Sequence, residues 1–251
     1  MDLQLNGTRV LVTGGTRGIG AACVAAFLAE GAHVAMCART AADVEAAVAA
    51  APDGRLTGHV VDVSDRDAVT AWVDESAAAL GGVDAVVANV SAIAAANDLE
   101  SWRLSLGVDL MGTVSLVDAA LPHLRRSGAG SIVTIGSVSG REVDAFAGPY
   151  GTVKAAIVHY TQGLAHQLAA EGIRANTVSP GNTYFEGGVW QSVEEDDPVF
   201  FAAALALNPT GRMATAEEIA APVVFLSSPV ASFVSGTNLV VDGALTRGVQ
   251  L

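Results

Sequence analysis

A tyrosine and a lysine four residues apart carry the first chemical signal in this sequence. Tyr150 and Lys154 are predicted to share one face of a helix, because residues at this spacing are neighbours on a helix surface. Lys154 is the only lysine in the chain, in which the other strongly basic residues are all arginines. A compact ammonium can stabilise a neighbouring phenolate and bind a ribose hydroxyl, whereas a guanidinium is too bulky for both tasks. We therefore interpret Tyr150 as a general acid supported by Lys154.

A serine thirteen residues before Tyr150 can complete this group. Ser137 ends a predicted strand, where its hydroxyl can hold a substrate carbonyl oxygen beside the phenol, and Ser139 is the nearby alternative. A tyrosine and a lysine at helical spacing are a weak signal alone, since amphipathic helices often produce such pairs. Combined with a strand-end serine and a glycine-rich turn, they are specific.

The glycine-rich segment Thr13–Gly20 follows a predicted strand directly and opens a helix. Glycines let the backbone approach a pyrophosphate, while free amides and the positive end of the helix dipole stabilise the anion. We expect a dinucleotide here, and a glycine-rich turn without a ligand is the alternative interpretation. The residues expected to bind it are Gly14, Thr16, Arg17, Gly18, Ile19 and Gly20.

The end of the second predicted strand bears on which dinucleotide binds. The segment Cys37–Thr40 has no carboxylate to bind the adenosine ribose of NAD. Arg39 can instead bind a ribose 2′-phosphate, and Arg17 can reach the same group. This pair predicts NADP(H) as the preferred cofactor, with NAD(H) as the alternative. Arg39 as a solvated strand-end charge is the other interpretation.

A carboxylate closes the third predicted strand. Asp62 and Val63 are expected beside the adenine, with Asp62 accepting a hydrogen bond from its exocyclic amine. Asp62 as the N-cap of the next helix is the rival interpretation, although Ser64 or Asp65 fits that role better.

Short apolar runs alternate with segments of helical period along the whole chain, a pattern typical of a parallel sheet covered by helices on both faces. The predicted strands are Arg9–Thr13, His33–Ala38, Leu56–Val61, Ala85–Asn89, Ser131–Gly136, Arg174–Val178 and Asn238–Val241. Helices are predicted to begin near Arg17, Ala41, Asp65, Leu99, Pro149 and Thr215. The expected fold is a single-domain, doubly wound α/β fold with a seven-stranded parallel sheet.

Composition limits the function classes. The 251 residues, 51% hydrophobic and 16% charged, favour one large domain spanning residues 1–251. A formal net charge of −13 disfavours nucleic acids and anionic lipid surfaces as partners. The longest apolar stretch, Ala21–Ala38, is interrupted by polar residues, so we expect no membrane span. Two cysteines form no disulfide framework and no secretory signal opens the chain, which indicates the cytoplasm. The five scattered histidines predict no metal site.

An irregular segment from Asn182 to Gly211 is expected to form a lid. It is rich in aromatic residues, and its acidic cluster Glu194–Asp197 is interpreted as a solvated helix start. An apolar substrate pocket is one hypothesis; the other is that the aromatic side chains pack the lid onto the domain. The pocket candidates are Phe146, Tyr184, Phe185 and Trp190.

These motifs resemble the short-chain dehydrogenase/reductase family over essentially the whole chain, and within it the reductases similar to 3-oxoacyl-carrier-protein reductase. The resemblance is carried by Thr13–Gly20, Asp62-Val63, Ser137, Tyr150-x-x-x-Lys154 and Pro180-Gly181. It implies a Rossmann fold with strand order 3-2-1-4-5-6-7, and a homo-oligomer, a tetramer or a dimer, assembled through the fourth and fifth long helices.

The resemblance also implies roles for the site residues. Tyr150 would donate the proton, Ser137 would orient the substrate oxygen, and Lys154 would bind the nicotinamide ribose. Pro180 and Gly181 would lie against the nicotinamide. Thr183 would hydrogen-bond the carboxamide or diphosphate.

The sequence departs from the family at three places. The family's Asn-Asn-Ala-Gly segment reads Ala88-Asn89-Val90-Ser91, so Asn89 alone keeps a signature polar position, at the cofactor. Asp109 stands where the family has a catalytic asparagine that supports a relay water. It either binds that water and pairs with Lys154, or it is a structural residue in a protein with damaged catalysis. Asp109→Asn is expected to keep or improve activity and to move its pH profile. The third departure is Asn182-Thr183-Tyr184-Phe185 after Gly181, which puts the role of Thr183 in question.

The sequence thus predicts an NADPH-dependent oxidoreductase acting between a carbonyl and a secondary alcohol of a hydrophobic small molecule. The acidic surface favours a free ketone over a substrate on an acidic carrier protein. Two alternatives stay open: a catalytically weak NADP-binding regulatory protein on the same fold, and a reductase of an imine or enoyl substrate.

Overall fold

The structure, a computed structural model, describes residues 2–51, 54–94, 96–145 and 148–248. Its strands are β1 (Arg9–Thr13), β2 (His33–Ala38), β3 (Leu56–Val60), β4 (Ala85–Ala88), β5 (Ser131–Ile135), β6 (Arg174–Pro180) and β7 (Asn238–Val241). They form one parallel sheet in the order β3-β2-β1-β4-β5-β6-β7. The predicted fold class and strand order are confirmed, with strand ends shifted by at most two residues.

Helices connect the strands. They are α1 (Gly18–Ala29), α2 (Ala41–Ala50), α3 (Arg66–Leu80), α4 (Leu99–Leu104), α5 (Gly112–Ser127), α6 (Pro149–Leu168), α7 (Val189–Asp196), α8 (Pro198–Ala206) and α9 (Ala216–Ser227). A π-helical segment, Ser105–Met111, joins α4 to α5 without a break.

Alternate residues of each strand feed two separate cores. In β1, Val10 and Val12 pack on one face of the sheet against α1 and α9, whereas Leu11 packs on the other against α3 and α5. Both faces of the central strands are covered, so β1 is apolar from Val10 to Val12 and β4 from Ala85 to Ala88, as buried parallel strands are. The strand order reverses between β1 and β4, and the crevice at their carboxyl ends is where this architecture binds ligands.

The continuous helix Leu99–Ser127 is long and apolar enough, by length and composition, to cross a membrane. A core helix meets the same criteria, and this one buries Leu116, Val117 and Leu124 completely in the second core. Its π-helical turn carries Asp109, and such turns are frequent at functional sites.

The prediction of an irregular lid is wrong in one respect, because α7 and α8 lie within residues 182–211. Val189, Trp190 and Val193 place apolar groups on one side of α7, which packs against α8. Asp197 caps α8, where its side chain accepts a hydrogen bond from the amide of Phe200 at 2.9 Å, and Pro198 follows at the first helical position.

Candidate active site

A cavity of about 770 Å³ opens at the carboxyl edge of the sheet, between the glycine-rich turn, α6 and the lid. Most of the candidate residues line it: Gly14, Thr16, Arg17, Ile19, Arg39, Asp62, Val63, Asn89, Ser137, Tyr150, Lys154, Pro180, Gly181, Thr183, Phe185 and Trp190. Phe146 lies outside the described residues. The site residues that the sequence places far apart therefore converge on one space.

The glycine-rich turn has the geometry of an anion cradle. Gly14 and Gly18 adopt φ values of +69° and +54°, in the left-handed region that favours glycine. Gly20 lies so close to the carbonyl of Gly14 that a β-carbon would collide with it. Arg17 stands at the N-cap of α1 without capping it through its side chain. The backbone amides in the first turn of α1 can therefore bind an anion. These residues fit the diphosphate of a dinucleotide.

Asn89 holds this turn against the sheet. Its Nδ2 donates hydrogen bonds to the carbonyls of Thr13 and Gly14 at 3.0 and 3.2 Å. Its backbone amide also bonds to the end of β1, donating to the Thr13 hydroxyl at 3.0 Å. Asn89 thus positions the cradle.

Asp62 does not cap α3; Asp65 does, accepting from the amides of Asp67 and Ala68. The carboxylate of Asp62 accepts from the backbone and the hydroxyl of Ser64 at 2.9 and 2.7 Å. These hydrogen bonds lower the pKa of Asp62, and the charge of Arg39 lowers it further. Both side chains line the cavity, with Arg39 exposed at its rim.

Lys154 is buried at the centre of the reacting group. Its Nζ donates to the carbonyl of Ile135 at 3.0 Å and lies 5.6 Å from the centroid of the Tyr150 ring. Pro149 starts α6, which places Tyr150 in the first turn and Lys154 one turn further along the same face. The predicted juxtaposition of phenol and ammonium is present.

Ser137, rather than Ser139, faces the cavity. The Ser137 hydroxyl caps a short 3₁₀ turn, accepting from the amide of Ser139 at 3.1 Å, and among the described residues no hydrogen bond uses its proton. Its side chain lines the cavity. The Ser139 hydroxyl donates to Asp144 at 2.6 Å. The structure therefore selects Ser137 of the two candidates.

Asp109 lies behind Lys154 and is only 1% exposed. Its Oδ1 is 3.4 Å from Lys154 Nζ and accepts a hydrogen bond from the Ser91 hydroxyl at 2.5 Å. Its Oδ2 accepts from the amide of Ala92 at 2.8 Å. The predicted proximity of Asp109 to Lys154 is present, whereas no role was predicted for Ser91.

A family model described as enoyl-(acyl carrier protein) reductase matches residues 14–246. Isoepoxydon dehydrogenase patN of Penicillium expansum is 40% identical, over 98% of this chain and 97% of its own length. The chain belongs to the short-chain dehydrogenase/reductase family. It is an enzyme of this class, an NAD(P)-dependent oxidoreductase acting on CH–OH or C=O groups.

Two further members of the family are similar over nearly their whole length. Meso-2,3-butanediol dehydrogenase of Serratia marcescens is 37% identical and 94% of each chain is covered. The NADPH-bound structure of a short-chain oxidoreductase from Pseudomonas aeruginosa PAO1, described as containing an atypical catalytic center, is 29% identical. It superposes with a TM-score of 0.88, covering 96% of this chain and 98% of that one.

Lid residues of this short-chain dehydrogenase/reductase meet the glycine-rich turn. A β-carbon on Gly18 would lie 2.5 Å from a ring carbon of Phe185, so the ring rests on the glycine. Thr183, at one of the departures from the family pattern, donates its hydroxyl to the carbonyl of Gly181 at 3.1 Å. That internal hydrogen bond occupies the hydroxyl proton expected to serve the cofactor.

The aromatic residues of the lid pack largely on one another. Tyr184 stacks edge-on against Phe201 with centroids 6.1 Å apart, and its hydroxyl donates to Glu194 at 2.6 Å. That hydrogen bond raises the pKa of Tyr184. Trp190 is stacked with Phe200 at 6.1 Å. Of the described pocket candidates, Phe185 and Trp190 line the cavity, whereas Tyr184 belongs to the aromatic cluster of the lid.

Proposed function

We propose that this enzyme interconverts a carbonyl and a secondary alcohol on a small, largely apolar molecule, with NADP(H) as the preferred cofactor. One observation carries the proposal: the chain's single lysine is buried beside Tyr150 in the same cavity that contains the glycine-rich turn. Burying an ammonium costs free energy even when it is paired, and its position beside Tyr150 gives this burial a chemical use.

The nicotinamide, when bound, supplies or accepts the hydride at the substrate carbon. Ser137 orients the substrate oxygen by donating its hydroxyl proton. Tyr150 gives that oxygen a proton in the reductive direction and removes one in the oxidative direction. Lys154 stabilises the phenolate that forms and would bind the nicotinamide ribose. The glycine-rich turn would bind the diphosphate, with Asp62 and Val63 at the adenine and Pro180 and Gly181 at the nicotinamide.

The preference for NADP(H) rests on Arg39. It lies at the rim of the cavity, directly after β2, where residues 38–40 include no carboxylate, and a guanidinium there suits a 2′-phosphate. The NADPH-bound relative supports the same cofactor.

The substrate proposal rests on the cavity wall and on the relatives. Apolar side chains line the cavity beyond the reacting group, namely Ile93, Leu104, Val189 and Trp190. The names of the relatives include dehydrogenases of isoepoxydon, meso-2,3-butanediol and D-threitol, which are small molecules. The family description as an enoyl reductase favours one second candidate, an activated double bond as the hydride acceptor.

We propose a homo-oligomer in the cytoplasm. Leu99, Leu104 and Met111 are exposed along the continuous helix, which supports self-association through it. Burial raises the pKa of Cys23 and Cys37 to about 12, so both thiols are unreactive. Sedimentation velocity tests the assembly, and a monomer across the concentration range of the assay would contradict it.

The decisive experiment follows NADPH and NADH oxidation with cyclic ketones, acyclic diketones and enones, and the reverse reaction with the matching alcohols. Tyr150→Phe is expected to abolish turnover while cofactor binding persists. Tyr160→Phe is the matched control, since Tyr160 lies on the same helix and its burial raises its pKa to about 12. Cofactor binding without turnover on every substrate would favour the regulatory protein, and turnover of enones alone would favour the second candidate.

A further inference from the structure

Ser91 connects the cavity wall to the buried Asp109. It lines the cavity, and its hydroxyl donates to Asp109 Oδ1 at 2.5 Å while accepting from the amide of Ile93 at 3.1 Å. Ile93 has a φ of +48°, which is uncommon for a β-branched residue. The segment Ser91–Ile93 is therefore held in an otherwise unfavourable conformation by these hydrogen bonds.

The carboxylate of Asp109 faces three donors at once. Ser91 Oγ and Lys154 Nζ approach Oδ1, and the amide of Ala92 approaches Oδ2. A carboxylate only accepts hydrogen bonds, so both of its oxygens match these neighbours. An asparagine would direct its NH₂ group either at the Ala92 amide or at Ser91 and Lys154.

We propose that Ser91 is a positioning residue of the reaction centre and that it functions only together with Asp109. Asp109 fixes the cavity wall through Ser91 and Ala92 and faces Lys154 with the same carboxylate. Ser91 in turn sets the orientation of that carboxylate towards the lysine. The inference rests on the proposed function, in which Lys154 supports Tyr150.

The hydrogen bond between Ser91 and Asp109 links two departures from the family pattern, which we interpret as a single joint change. The family has glycine where this chain has Ser91, and asparagine where it has Asp109. If position 91 carried no hydroxyl, an asparagine side chain at position 109 would face one hydrogen-bond donor fewer, so its NH₂ group would be easier to accommodate. From the sequence, Asp109→Asn is expected to retain activity. The three contacts of the Asp109 carboxylate lead to the opposite prediction: Asp109→Asn impairs the enzyme as long as Ser91 is present.

A double-mutant cycle tests the pairing. Ser91→Ala, Asp109→Asn and the double variant are compared in kcat/KM, in NADPH affinity by fluorescence titration, and in the free energy of unfolding. Each single change removes a hydrogen bond to a charged group and is expected to lower kcat/KM by about 10- to 100-fold. The double variant is expected to be no worse than the poorer single variant, because the effects of coupled residues are not additive.

Ser91→Thr keeps the hydroxyl and is expected to retain kcat/KM within about threefold of the wild type.

The controls separate this proposal from the proposed function. Ser227→Ala removes another buried hydroxyl, far from the cavity, whose Oγ donates to Val223 at 2.9 Å. It is expected to leave kcat/KM unchanged. Multiplicative losses in the double variant, or a Ser91→Thr variant as impaired as Ser91→Ala, would overturn the pairing. A wild-type protein without turnover would contradict the proposed function, and the cycle in unfolding free energy would still decide whether the two residues are coupled.

Discussion

The guanidinium of Arg17 donates a hydrogen bond to the backbone carbonyl of Gly187 at 3.0 Å. This bond joins the glycine-rich turn to the lid, beside the contact between Phe185 and Gly18. Arg17 thus has a partner within the chain, whereas the sequence assigns it to a 2′-phosphate together with Arg39. The two arginines are expected to differ in their effect on cofactor choice.

Arg39→Ala is expected to weaken NADPH binding by about 1.5–3 kcal/mol more than NADH binding, because a charge-assisted contact to the 2′-phosphate is lost. Arg17→Ala is expected to weaken both cofactors to a similar extent by loosening the lid. Fluorescence titration of both cofactors measures the difference. Arg66→Ala, on the exposed surface of α3, is the control. Equal weakening of NADPH and NADH by Arg39→Ala would refute the assignment.

Gly18→Ala is expected to destabilise the protein by about 1–3 kcal/mol and to weaken cofactor binding. The new β-carbon would meet the Phe185 ring, and alanine is strained at a φ of +54°. Adding Phe185→Ala should recover the part of the loss that comes from the collision. Gly163→Ala on α6, where a β-carbon meets open space, is expected to be neutral or stabilising by up to about 1 kcal/mol. Denaturant unfolding of the four proteins measures these effects, and no recovery in the double variant would show that backbone strain alone is responsible.

Lys154→Met is expected to lower the free energy of unfolding by about 3–5 kcal/mol, because it leaves the buried charge of Asp109 without its cation. Combining it with Asp109→Leu should restore much of the stability but no turnover. Arg66→Met breaks an exposed pair with Asp118 and should change stability by less than about 1 kcal/mol. A Lys154→Met protein as stable as the wild type would mean that Asp109 does not depend on the lysine.

The carboxylate of Asp84 bonds to Arg9, the first residue of β1, and this contact is expected to make the stability of the fold depend on pH in the acidic range. Burial raises the pKa of its carboxyl, but hydrogen bonds from Arg9 outweigh burial and leave the pKa below its ordinary value of 3.8. The resulting stabilisation is present above pH 3.8 and is lost as the pH falls further towards the folded-state pKa. Asp84→Asn should therefore cost about 1–3 kcal/mol at pH 7 and progressively less below pH 3.8. Unfolding curves from pH 2.5 to 7 measure this difference, with Asp118→Asn as the exposed control; a difference independent of pH would exclude the linkage.

The central strands could be predicted because they lie between two cores and contain short apolar runs. Val10 to Val12 and Ala85 to Val87 are fully buried on both faces, and such runs differ clearly from the helices that follow them. Of the lid helices, only a helix start at Glu194–Asp197 was predicted, and Asp197 does cap α8. The rest of the segment was expected to be irregular because α7 and α8 are short and their apolar side chains pack on one another rather than on the sheet.

The reacting group could be predicted because its spacing is local, with Tyr150 and Lys154 on one helical turn. The contact between Ser91 and Asp109 joins residues eighteen positions apart and depends on the unusual backbone at Ile93. No local pattern in the sequence predicts a contact of this kind. The replacement of the family's glycine by Ser91 was the available signal, and it acquires a meaning only when the π-helical segment places Asp109 beside it.

The burial of the chain's single lysine has a practical consequence for chemical labelling. Lys154 is 2% exposed, so the folded surface presents no described ε-amino group to an acylating reagent. Acylation at Lys154 would therefore proceed only through opening of the fold around α6, and its rate would report that opening. A ligand held in the cavity would slow the same reaction, which makes covalent labelling followed by mass spectrometry a gauge of occupancy that needs no turnover.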